Sequence, residues 1–521
     1  MIAVVAPDEG IGGLVLAALR RSVSRSQATA WPASAIAAAP GLMVLVDPAD
    51  DIGDAVVDWL GRTPHKLMIF GTIPAALRRL FGTGTPSAGL PDSALCRSEP
   101  TPPGAFRESP AIIRYTALAE KLGGGLWRRP LQRFDFAAEW NNLGYGAISC
   151  DGSIWSLGRS LEVGREDELA AVAADPGGRI GSYAALFDRA GHATLWFNRP
   201  VGPIDSFEWR LVETFLSSHR SDELPALPVF SEIPAGHDTL VTMRLDCDED
   251  IESARTLWQA YTDRRVPLSL AIHTNLLADG ATIPLISDVA ASGGSILSHS
   301  ATHAPWWGGN REAAFAEAMA SADAIERSTG RRPRFAVSPF HQTPHYALEA
   351  LQAAGYAGCV GGNIAADPAF NLARGGSLAG LPGPFIGHSQ QCMLHGDCLL
   401  EDGDPLALYR EAFDLALASR SIFAYLDHPF SARYEYGWRG EESRIDAHRT
   451  LLDHIAATAS SPLYLSADAA MDFLGLKARA EVVTVGDGLV VSLPNAPAGA
   501  PKLCVEYKGA CIAIGDGTRL S

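Results

Sequence analysis

The chain has 521 residues, of which 47% are hydrophobic and 19% are charged, and its formal net charge is −17. At about 150 residues per domain, this length predicts roughly two to four domains with enough apolar material for cores. The acidic balance argues against sequence-independent nucleic-acid binding and against docking on an anionic membrane, because both need a basic surface.

The chain is predicted to be cytoplasmic. Its start, MIAVVAPDEG, lacks a basic region and is acidic where a signal peptide would be apolar. No stretch of 18 uncharged apolar residues occurs, so no membrane span is expected. The eight cysteines include no CxxC pair and are expected to be reduced and mostly buried. The pairs most open to the alternative, a disulfide bond, are Cys392/Cys398 and Cys504/Cys511.

Strands and helices alternate over the first 85 residues. The pattern predicts strands at 2–6, 42–47 and 66–70 and helices at 10–22, 52–60 and 74–80. This alternation is typical of an open, parallel α/β sheet of the Rossmann or flavodoxin kind. A dinucleotide site is not favoured, because the turn EGIGG lacks the full G-x-G-x-x-G spacing.

The next segments complete a predicted N-terminal α/β region at 1–230. Residues 82–110 are rich in Pro, Gly and Ser and predict a linker or internal boundary. Apolar runs at 183–187 and 192–197 flank the turn DRAG, which indicates a hairpin, and a helix is expected at 207–219. The Pro-rich stretch 223–234 predicts the end of this region.

A second α/β region is predicted at 236–475. Its expected strands are 240–245, 268–273, 295–297 and 334–338, and its expected helices are 253–263, 283–291, 311–329 and 346–354. Repeated βα units of this kind indicate a barrel or a distorted barrel. From residue 481 the pattern changes to strand pairs around GDG and KGA turns, which predicts a small antiparallel β module at 478–521.

Acidic and imidazole side chains follow the strands of this second region. Eight of the 14 histidines lie between His273 and His428. Asp246 and Asp248 end one strand with a spacing of two, which places both carboxylates on one face.

About 50 residues later, His299 and His303 are four apart in ILSHSATH, which would place both imidazoles on one face of a helical turn. Two histidines and one carboxylate with an open position describe a catalytic zinc-type site. His428 follows a later apolar strand, SIFAYLD.

In this order, the D-C-D strand end, H-S-A-T-H and the late Y-L-D-H resemble the NodB-homology polysaccharide deacetylases, the family 4 carbohydrate esterases. The resemblance covers roughly 238–473, and H-S-A-T-H is its most specific part. It implies a distorted (β/α) barrel that removes N-acetyl or O-acetyl groups from carbohydrates. It also implies one divalent metal ion, with Zn²⁺ expected first and Co²⁺, Mn²⁺ or Ni²⁺ as alternatives.

Carried over residue by residue, the resemblance makes Asp246 the catalytic base and His428 the general acid. Asp248, His299 and His303 become the metal ligands. Asp246 would then accept a proton from the attacking water, and His428 would protonate the leaving amine. The enzyme expected is a hydrolase of carbon–nitrogen bonds other than peptide bonds.

Two departures from the family pattern leave alternatives open. The first motif is D-C-D rather than adjacent aspartates, so base and ligand can exchange roles or Asp250 can intrude. The third motif has Val337 where the family has an arginine that orients the base, and Arg334 or Arg244 can substitute for it.

Four further residues are candidates for substrate binding: His273, Trp306, Phe340 and Asp397. His273 ends a strand and can line the mouth of the site, although a packing role is equally open. Trp306 can stack on a sugar ring, and Asp397 is a candidate for the fourth motif. His341 and His345, which are four apart across a proline, are assigned to the rim at most.

The leading hypothesis is a metal-dependent carbohydrate N-deacetylase, with a carbohydrate as its partner and a homo-oligomer left open. An O-deacetylase or a deformylase is the alternative with the same chemistry. A catalytically silent carbohydrate-binding or assembly protein is the alternative of another class, because the third-motif arginine is missing and extra domains are present.

Overall fold

The structure is a computed structural model of the chain. It describes residues 1–62, 64–84, 111–123, 154, 156–158, 161–174, 178–203, 207–277, 284–362, 368–389, 392–394, 404, 406–486, 488–493 and 495–521. Within these ranges, no helix combines the length and the apolar character needed to cross a bilayer.

The N-terminal region is built on an eight-stranded sheet. Its elements are β1 (Ile2–Val5), α1 (Glu9–Leu19), β2 (Ala28–Ala30), β3 (Leu42–Val46), α2 (Gly53–Leu60), β4 (His65–Phe70), α3 (Ala75–Phe81), β5 (Ala111–Tyr115), β6 (Glu168–Ala174), β7 (Arg179–Arg189), β8 (His192–Phe197) and α4 (Trp209–Ser217).

The strand order is β2-β1-β3-β4-β8-β7-β6-β5. The first five strands in this order are parallel, and the last four are joined by antiparallel pairs. The predicted parallel sheet and the predicted hairpin, β7–β8, are both present. Every residue of β3 (LMVLV) is buried, as expected for a parallel strand that is covered on both faces.

The second region contributes a ten-stranded sheet. Its elements are β9 (Val229–Phe230), β10 (Thr239–Cys247), α5 (Arg255–Asp263), β11 (Ser269–Ile272), α6 (Pro284–Ala291), β12 (Ile296–Ser298), α7 (Arg311–Thr329), β13 (Phe335–Val337), α8 (His345–Ala353), β14 (Gly358–Val360), α9 (Pro368–Asn371), β15 (Gly376–Ser377), β16 (Ile386–His388), β17 (Cys392–Met393), α10 (Ala407–Ser419), β18 (Phe423–Asp427), α11 (Glu441–Thr458), β19 (Pro462–Tyr464) and α12 (Ala467–Arg479), of which β9 lies outside this sheet.

The strand order is β15-β16-β14-β13-β12-β11-β10-β18-β17, and β19 also pairs with β10. The pairs are parallel except β15–β16. The α7 helix has the bounds that the sequence predicts. Within the described residues, the two end strands β15 and β17 are not paired with each other, so closure into a barrel is not confirmed.

The C-terminal strands are antiparallel, as predicted. They are β20 (Glu481–Val485), β21 (Gly488–Ser492), β22 (Cys504–Tyr507), β23 (Ala510–Ala513) and β24 (Arg519–Leu520). They form two small sheets, β20-β21-β24 and β23-β22-β9. The β9 strand comes from the Pro-rich stretch predicted as a boundary, and it pairs with β22. The domain limits remain a prediction.

One expectation about the cysteines needs correction. Cys504 on β22 and Cys511 on β23 are joined by a disulfide, because the paired strands bring them together. The expectation of reduced cysteines therefore does not hold for this pair, which is one of the two pairs that the sequence left open. Cys247, Cys359 and Cys392 are buried, as expected.

Candidate metal-binding active site

The site forms at one edge of the ten-stranded sheet. The β18, β10, β11, β12 and β13 strands are neighbours, and all of their pairs are parallel. Parallel strands end at the same edge, where βα folds gather functional residues. Asp248, His273, His299 and His428 each directly follow one of these strands. The sheet thus brings together residues that are up to 180 positions apart in the sequence.

The structure brings Asp248, His299 and His303 together as a group that can hold a metal ion. The Oδ1 atom of Asp248 lies 3.3 Å from His299 Nε2 and 3.5 Å from His303 Nε2. The two Nε2 atoms are 3.1 Å apart. Tetrahedral Zn²⁺, with ligand distances of about 2.0–2.2 Å, separates its ligand atoms by about 3.3–3.6 Å.

Two further features fit a metal at this position. The Oδ1 atom of Asp248 is buried and accepts no hydrogen bond within the described ranges. The Nδ1 atom of His299 lies 3.2 Å from the carbonyl oxygen of Val337. A carbonyl can only accept, so Nδ1 carries a proton and donates it there, which leaves Nε2 as the nitrogen that faces the other two ligands. The donor set and its spacing therefore suit a divalent ion.

The reason why the two imidazoles meet differs from the prediction. The segment from His299 to His303 is not helical. Ser300 and His303 instead have φ angles of 63° and 52°, in the left-handed region that most side chains avoid. Glu317 on α7 holds this loop by accepting bonds from the backbone N–H groups of residues 301 and 302. Strained conformations of this kind are common at functional sites.

Asp246 is 2% exposed and is held by one arginine. The Nε and Nη2 atoms of Arg244 donate to its two oxygens at 2.7 and 3.2 Å. Burial raises the pKa of Asp246. The charges of Arg244 and His299 and the hydrogen bonds from Arg244 lower it by a larger amount, so the net shift is downward. Arg334 bonds Asp472 instead. Of the two predicted substitutes, Arg244 makes the contact.

Asp250 does not belong to the cluster. Its carboxylate oxygens accept the backbone N–H groups of Glu252 and Ser253 at 3.1 Å, and it is exposed. The third carboxylate of the D-x-D-x-D run therefore stabilises the turn that leads into α5.

His428 lies on the other side of Asp248. Its Nε2 atom is 3.6 Å from Asp248 Oδ2, and its side chain is buried. Asp427 anchors the backbone here, because its Oδ1 accepts the N–H of His428 at 2.7 Å. The Oδ2 atom of Asp427 accepts bonds from Arg444 and His448 at 2.6 and 2.9 Å. The candidate acid is thus placed by a buried, charged network.

Tyr434 is a site residue that the sequence interpretation missed. It is 2% exposed, and its hydroxyl donates to Asp248 Oδ2 at 2.7 Å. Its ring is stacked on the His428 imidazole, with centroids 4.2 Å apart. The only signal in the sequence is the run YEY shortly after His428, and aromatic pairs of that kind are common in cores.

The predicted substrate-binding residues have different surroundings. His273 is half-buried, and its Nδ1 lies 3.1 Å from the carbonyl oxygen of Asp248, so it supports the ligand loop. Trp306 is 44% exposed and has a φ of 54°. The Phe340 ring lies 4.5 Å from that of His303. Asp397 lies outside the described residues.

His341, predicted at most for the rim, is instead buried. Burial lowers the pKa of His341 well below its ordinary value, and Asp246, Arg244, His299 and His428 are all close enough to influence it. This imidazole is therefore neutral and lies close to the cluster. Burial, followed by the charge of His299, likewise lowers the pKa of His303 to about 3, which leaves its ring neutral and able to ligate a metal.

Comparison with known proteins finds similarity only among solved structures. No protein-family model matches the chain. No curated protein matches it in sequence either. A Mycobacterium smegmatis structure described as a polysaccharide deacetylase is 14% identical, with a TM-score of 0.39, and the match covers 46% of this chain and 92% of that one.

Two other similar structures are carbohydrate-active. Agd3, described as a novel carbohydrate deacetylase, is 10% identical with a TM-score of 0.39, over 100% of this chain and 99% of that one. A family 4 acetyl xylan esterase from Clostridium thermocellum in complex with a cobalt ion is 12% identical with a TM-score of 0.30, over 45% and 91%. The similar structures include polysaccharide deacetylases, which are the family that the sequence motifs resemble.

Proposed function

We propose that the chain is a metal-dependent hydrolase that removes N-acetyl groups from a carbohydrate. The observation that carries the proposal is the convergence of Asp248, His299 and His303, with ligand atoms 3.1–3.5 Å apart, beside Asp246 and His428. A carboxylate held by an arginine, a metal-binding triad and a third imidazole outside that triad are the parts that amide hydrolysis needs.

The metal would be held by Asp248 Oδ1 and by the Nε2 atoms of His299 and His303. A divalent ion bound there would supply a coordinated water with a pKa lowered toward about 7 and would polarise the acyl carbonyl. Two imidazoles and one carboxylate suit Zn²⁺ best, and Co²⁺, Mn²⁺ and Ni²⁺ also accept this set.

The protein side chains supply the proton transfers. Asp246 is ionised, because its pKa is lowered, and it accepts the proton of the attacking water. Arg244 holds both oxygens of that carboxylate and so fixes the direction from which the proton arrives. His428 donates a proton to the nitrogen that leaves, and general acid catalysis of this kind contributes about 10²–10⁴-fold.

The carbohydrate part of the proposal rests on the motif resemblance and on the aromatic surface near the cluster. Trp306 is 44% exposed and lies in the loop that carries His303. Phe340 contacts the His303 ring from a second loop. A flat aromatic face can stack on the apolar face of a sugar ring. His273 and Asp397 remain proposed substrate-binding residues.

We also propose that the ten strands form the distorted barrel of the family that the motifs resemble. The proposed division of the chain is an α/β region at 1–230, a catalytic region at 236–475 and a β module at 478–521.

One contact argues against the alternative of a catalytically silent binding protein. That alternative drew on the missing arginine of the third motif, and Arg244 makes a bidentate contact with Asp246 from β10. O-deacetylation and deformylation use the same side chains, so the nature of the acyl group separates them from N-deacetylation.

The test compares wild type with Asp246→Asn, His303→Ala and the matched control Asp250→Asn. Metal content is measured by mass spectrometry, and acetate release is measured with N-acetylated and O-acetylated sugars. We expect stoichiometric metal in the wild type, Asp246→Asn and the control, loss of metal in His303→Ala, and activity only in the wild type and Asp250→Asn.

Three other results would reject the proposal or replace it with one of the alternatives. A wild type that binds no stoichiometric metal rejects the proposal. A wild type that binds metal and acetylated sugar but releases no acetate is a binding protein. Acetate release from O-acetyl esters alone would indicate an O-deacetylase, and formate release from formamides alone would indicate a deformylase.

A further inference from the structure

Tyr434 lies where the metal cluster and the candidate acid meet. Its side chain is 2% exposed, so its position is determined by packing rather than by solvent. Two of its contacts differ in kind, one to Asp248 through its hydroxyl and one to His428 through the face of its ring. Tyr434 and Asp248 are 186 positions apart in the sequence.

Because of the first contact, the two oxygens of the Asp248 carboxylate have different partners. Its Oδ1 atom faces the two Nε2 atoms, whereas its Oδ2 atom accepts the Tyr434 hydroxyl at 2.7 Å. A hydrogen bond to the oxygen that does not face the metal fixes the rotation of the carboxylate. Partners of this kind orient metal ligands and tune the affinity of the site.

The second contact fixes the plane of the His428 imidazole. The two rings are nearly parallel, with an interplanar angle of 6° and centroids 4.2 Å apart. Tyr436 approaches the same imidazole edge-on, at 5.9 Å. The Nδ1 atom of His428 is buried and has no hydrogen-bond partner in the described part of the chain. Among those residues, ring packing and the approach of Nε2 to Asp248 Oδ2 at 3.6 Å therefore determine where the Nε2 atom points.

We propose that Tyr434 is a positioning residue that couples the metal-ligand carboxylate to the acid histidine. Loss of its hydroxyl weakens metal binding, and loss of its ring also misaligns His428. The inference rests on the proposed function for the role of His428, whereas its effect on metal affinity does not depend on the identity of the substrate.

The test separates the two contacts with two variants of the full-length protein. Tyr434→Phe removes the hydroxyl and keeps the ring, and Tyr434→Leu removes both. Tyr464→Phe is the control, because Tyr464 lies on β19, which pairs with the opposite end of β10. The readouts are the Zn²⁺ dissociation constant from chelator competition, the visible spectrum of the Co²⁺ form, and kcat and KM for acetate release.

We expect Zn²⁺ affinity to fall by about 10–100-fold in both Tyr434 variants and to stay unchanged in the control. The Co²⁺ spectrum should shift in both variants. Tyr434→Leu should have a kcat at least about 10-fold lower than Tyr434→Phe at a similar KM, since misalignment of the acid acts on the transition state.

A Tyr434→Phe variant that melts like the wild type, binds Zn²⁺ within twofold of it and keeps its Co²⁺ spectrum overturns the inference. Equal kcat values for the Phe and Leu variants overturn the part that concerns His428. The Leu variant provides a second measure of the hydroxyl contact if the Phe variant is unstable. If the wild type binds Zn²⁺ but releases no acetate, the proposed function fails while the metal-affinity result stands by itself.

Discussion

The two large sheets of this protein have parallel strands that end at a common edge, but the two edges differ in what their polar side chains bond. In the N-terminal sheet, Asp47 follows β3 and accepts the backbone N–H of Thr72 at 3.4 Å. Asn198 follows β8, accepts from the backbone of Gly158 and donates to the carbonyl of Ser182. These side chains bond local backbone and stabilise turns.

At the edge of the ten-stranded sheet, side chains face one another instead. Asp248 Oδ1 is directed at two imidazole nitrogens, and Asp248 Oδ2 is shared by Tyr434 and His428. Topology alone therefore does not make a site. The deciding feature is whether the ligating atoms at the edge converge on one another or bond the backbone around them.

The largest effect is expected from Asp248→Ala. This change removes the carboxylate that lies within 3.6 Å of three imidazoles. Loss of an outer partner of a ligand already costs about 10–100-fold in metal affinity, so loss of a ligand should cost more than that and abolish measurable activity. Metal content after dialysis checks this, and stoichiometric Zn²⁺ in the variant would show that the edge residues are not ligands.

The next effect is expected from His428→Ala. We expect kcat to fall by about 10²–10⁴-fold, because the proton for the leaving nitrogen is no longer delivered. Metal content should remain at the wild-type level, which separates this variant from Asp248→Ala. Steady-state kinetics with an N-acetylated sugar measures the change. Full activity in this variant would exclude His428 as the acid.

A smaller effect, on stability only, is expected at Lys66 in the N-terminal sheet. Lys66 is fully buried, and its Nζ donates to the carbonyl of Phe215 at 2.7 Å. Burial, followed by the charge of Arg220, lowers the pKa of Lys66 from 10.5 to about 7. Between these values the unfolded chain binds more protons than the folded chain, so this group makes stability rise with pH, by at most about 1.4 kcal/mol per unit.

Below a pH of about 7 both states carry the charge, and the full cost of burying it is present. Lys66→Met should therefore stabilise the protein at pH 7 more than at pH 9, without a change in kcat. Urea unfolding at both values measures this, and Lys121→Met, at an exposed lysine, is the control. An unchanged pH dependence in Lys66→Met would show that this amine does not titrate as the burial predicts.

The smallest effect is expected from Asp47→Asn. Asp47 is exposed and has a φ of 40°, a conformation that asparagine also tolerates. Because the amide oxygen can still accept the Thr72 N–H, the free energy of unfolding should change by less than about 0.5 kcal/mol. Metal content and activity should not change. A loss of metal in this variant would mean that the N-terminal edge contributes to a site after all.

Much of the fold and the centre of the site follow from local patterns. The alternation of strands and helices was predictable, as was the grouping of Asp248, His299 and His303, because each directly follows or lies close behind an apolar strand. The proposed reason for the His299–His303 contact was wrong. A helical turn was expected, whereas the loop contains left-handed residues, and backbone strain of this kind has no signature in residue spacing.

Other features depend on contacts between distant segments. The Pro-rich stretch 223–234 predicted a boundary, but Val229–Phe230 pairs with Cys504–Tyr507, about 275 positions later. Which arginine holds Asp246 was open between Arg244 and Arg334 until the structure placed them. Arg244 has the required position because it lies two residues before Asp246 on the same strand, on the same face.

By itself, the sequence determined the strand and helix pattern, the acidic and imidazole residues at the strand ends, and the chemistry that such a set can perform. Periodicity and residue type are local properties, so a chain displays them without its fold. Only the tertiary structure decided that Arg244 bonds Asp246, that His341 is buried, and that Tyr434 lies between Asp248 and His428. These outcomes depend on distances across the folded chain, which no local pattern contains.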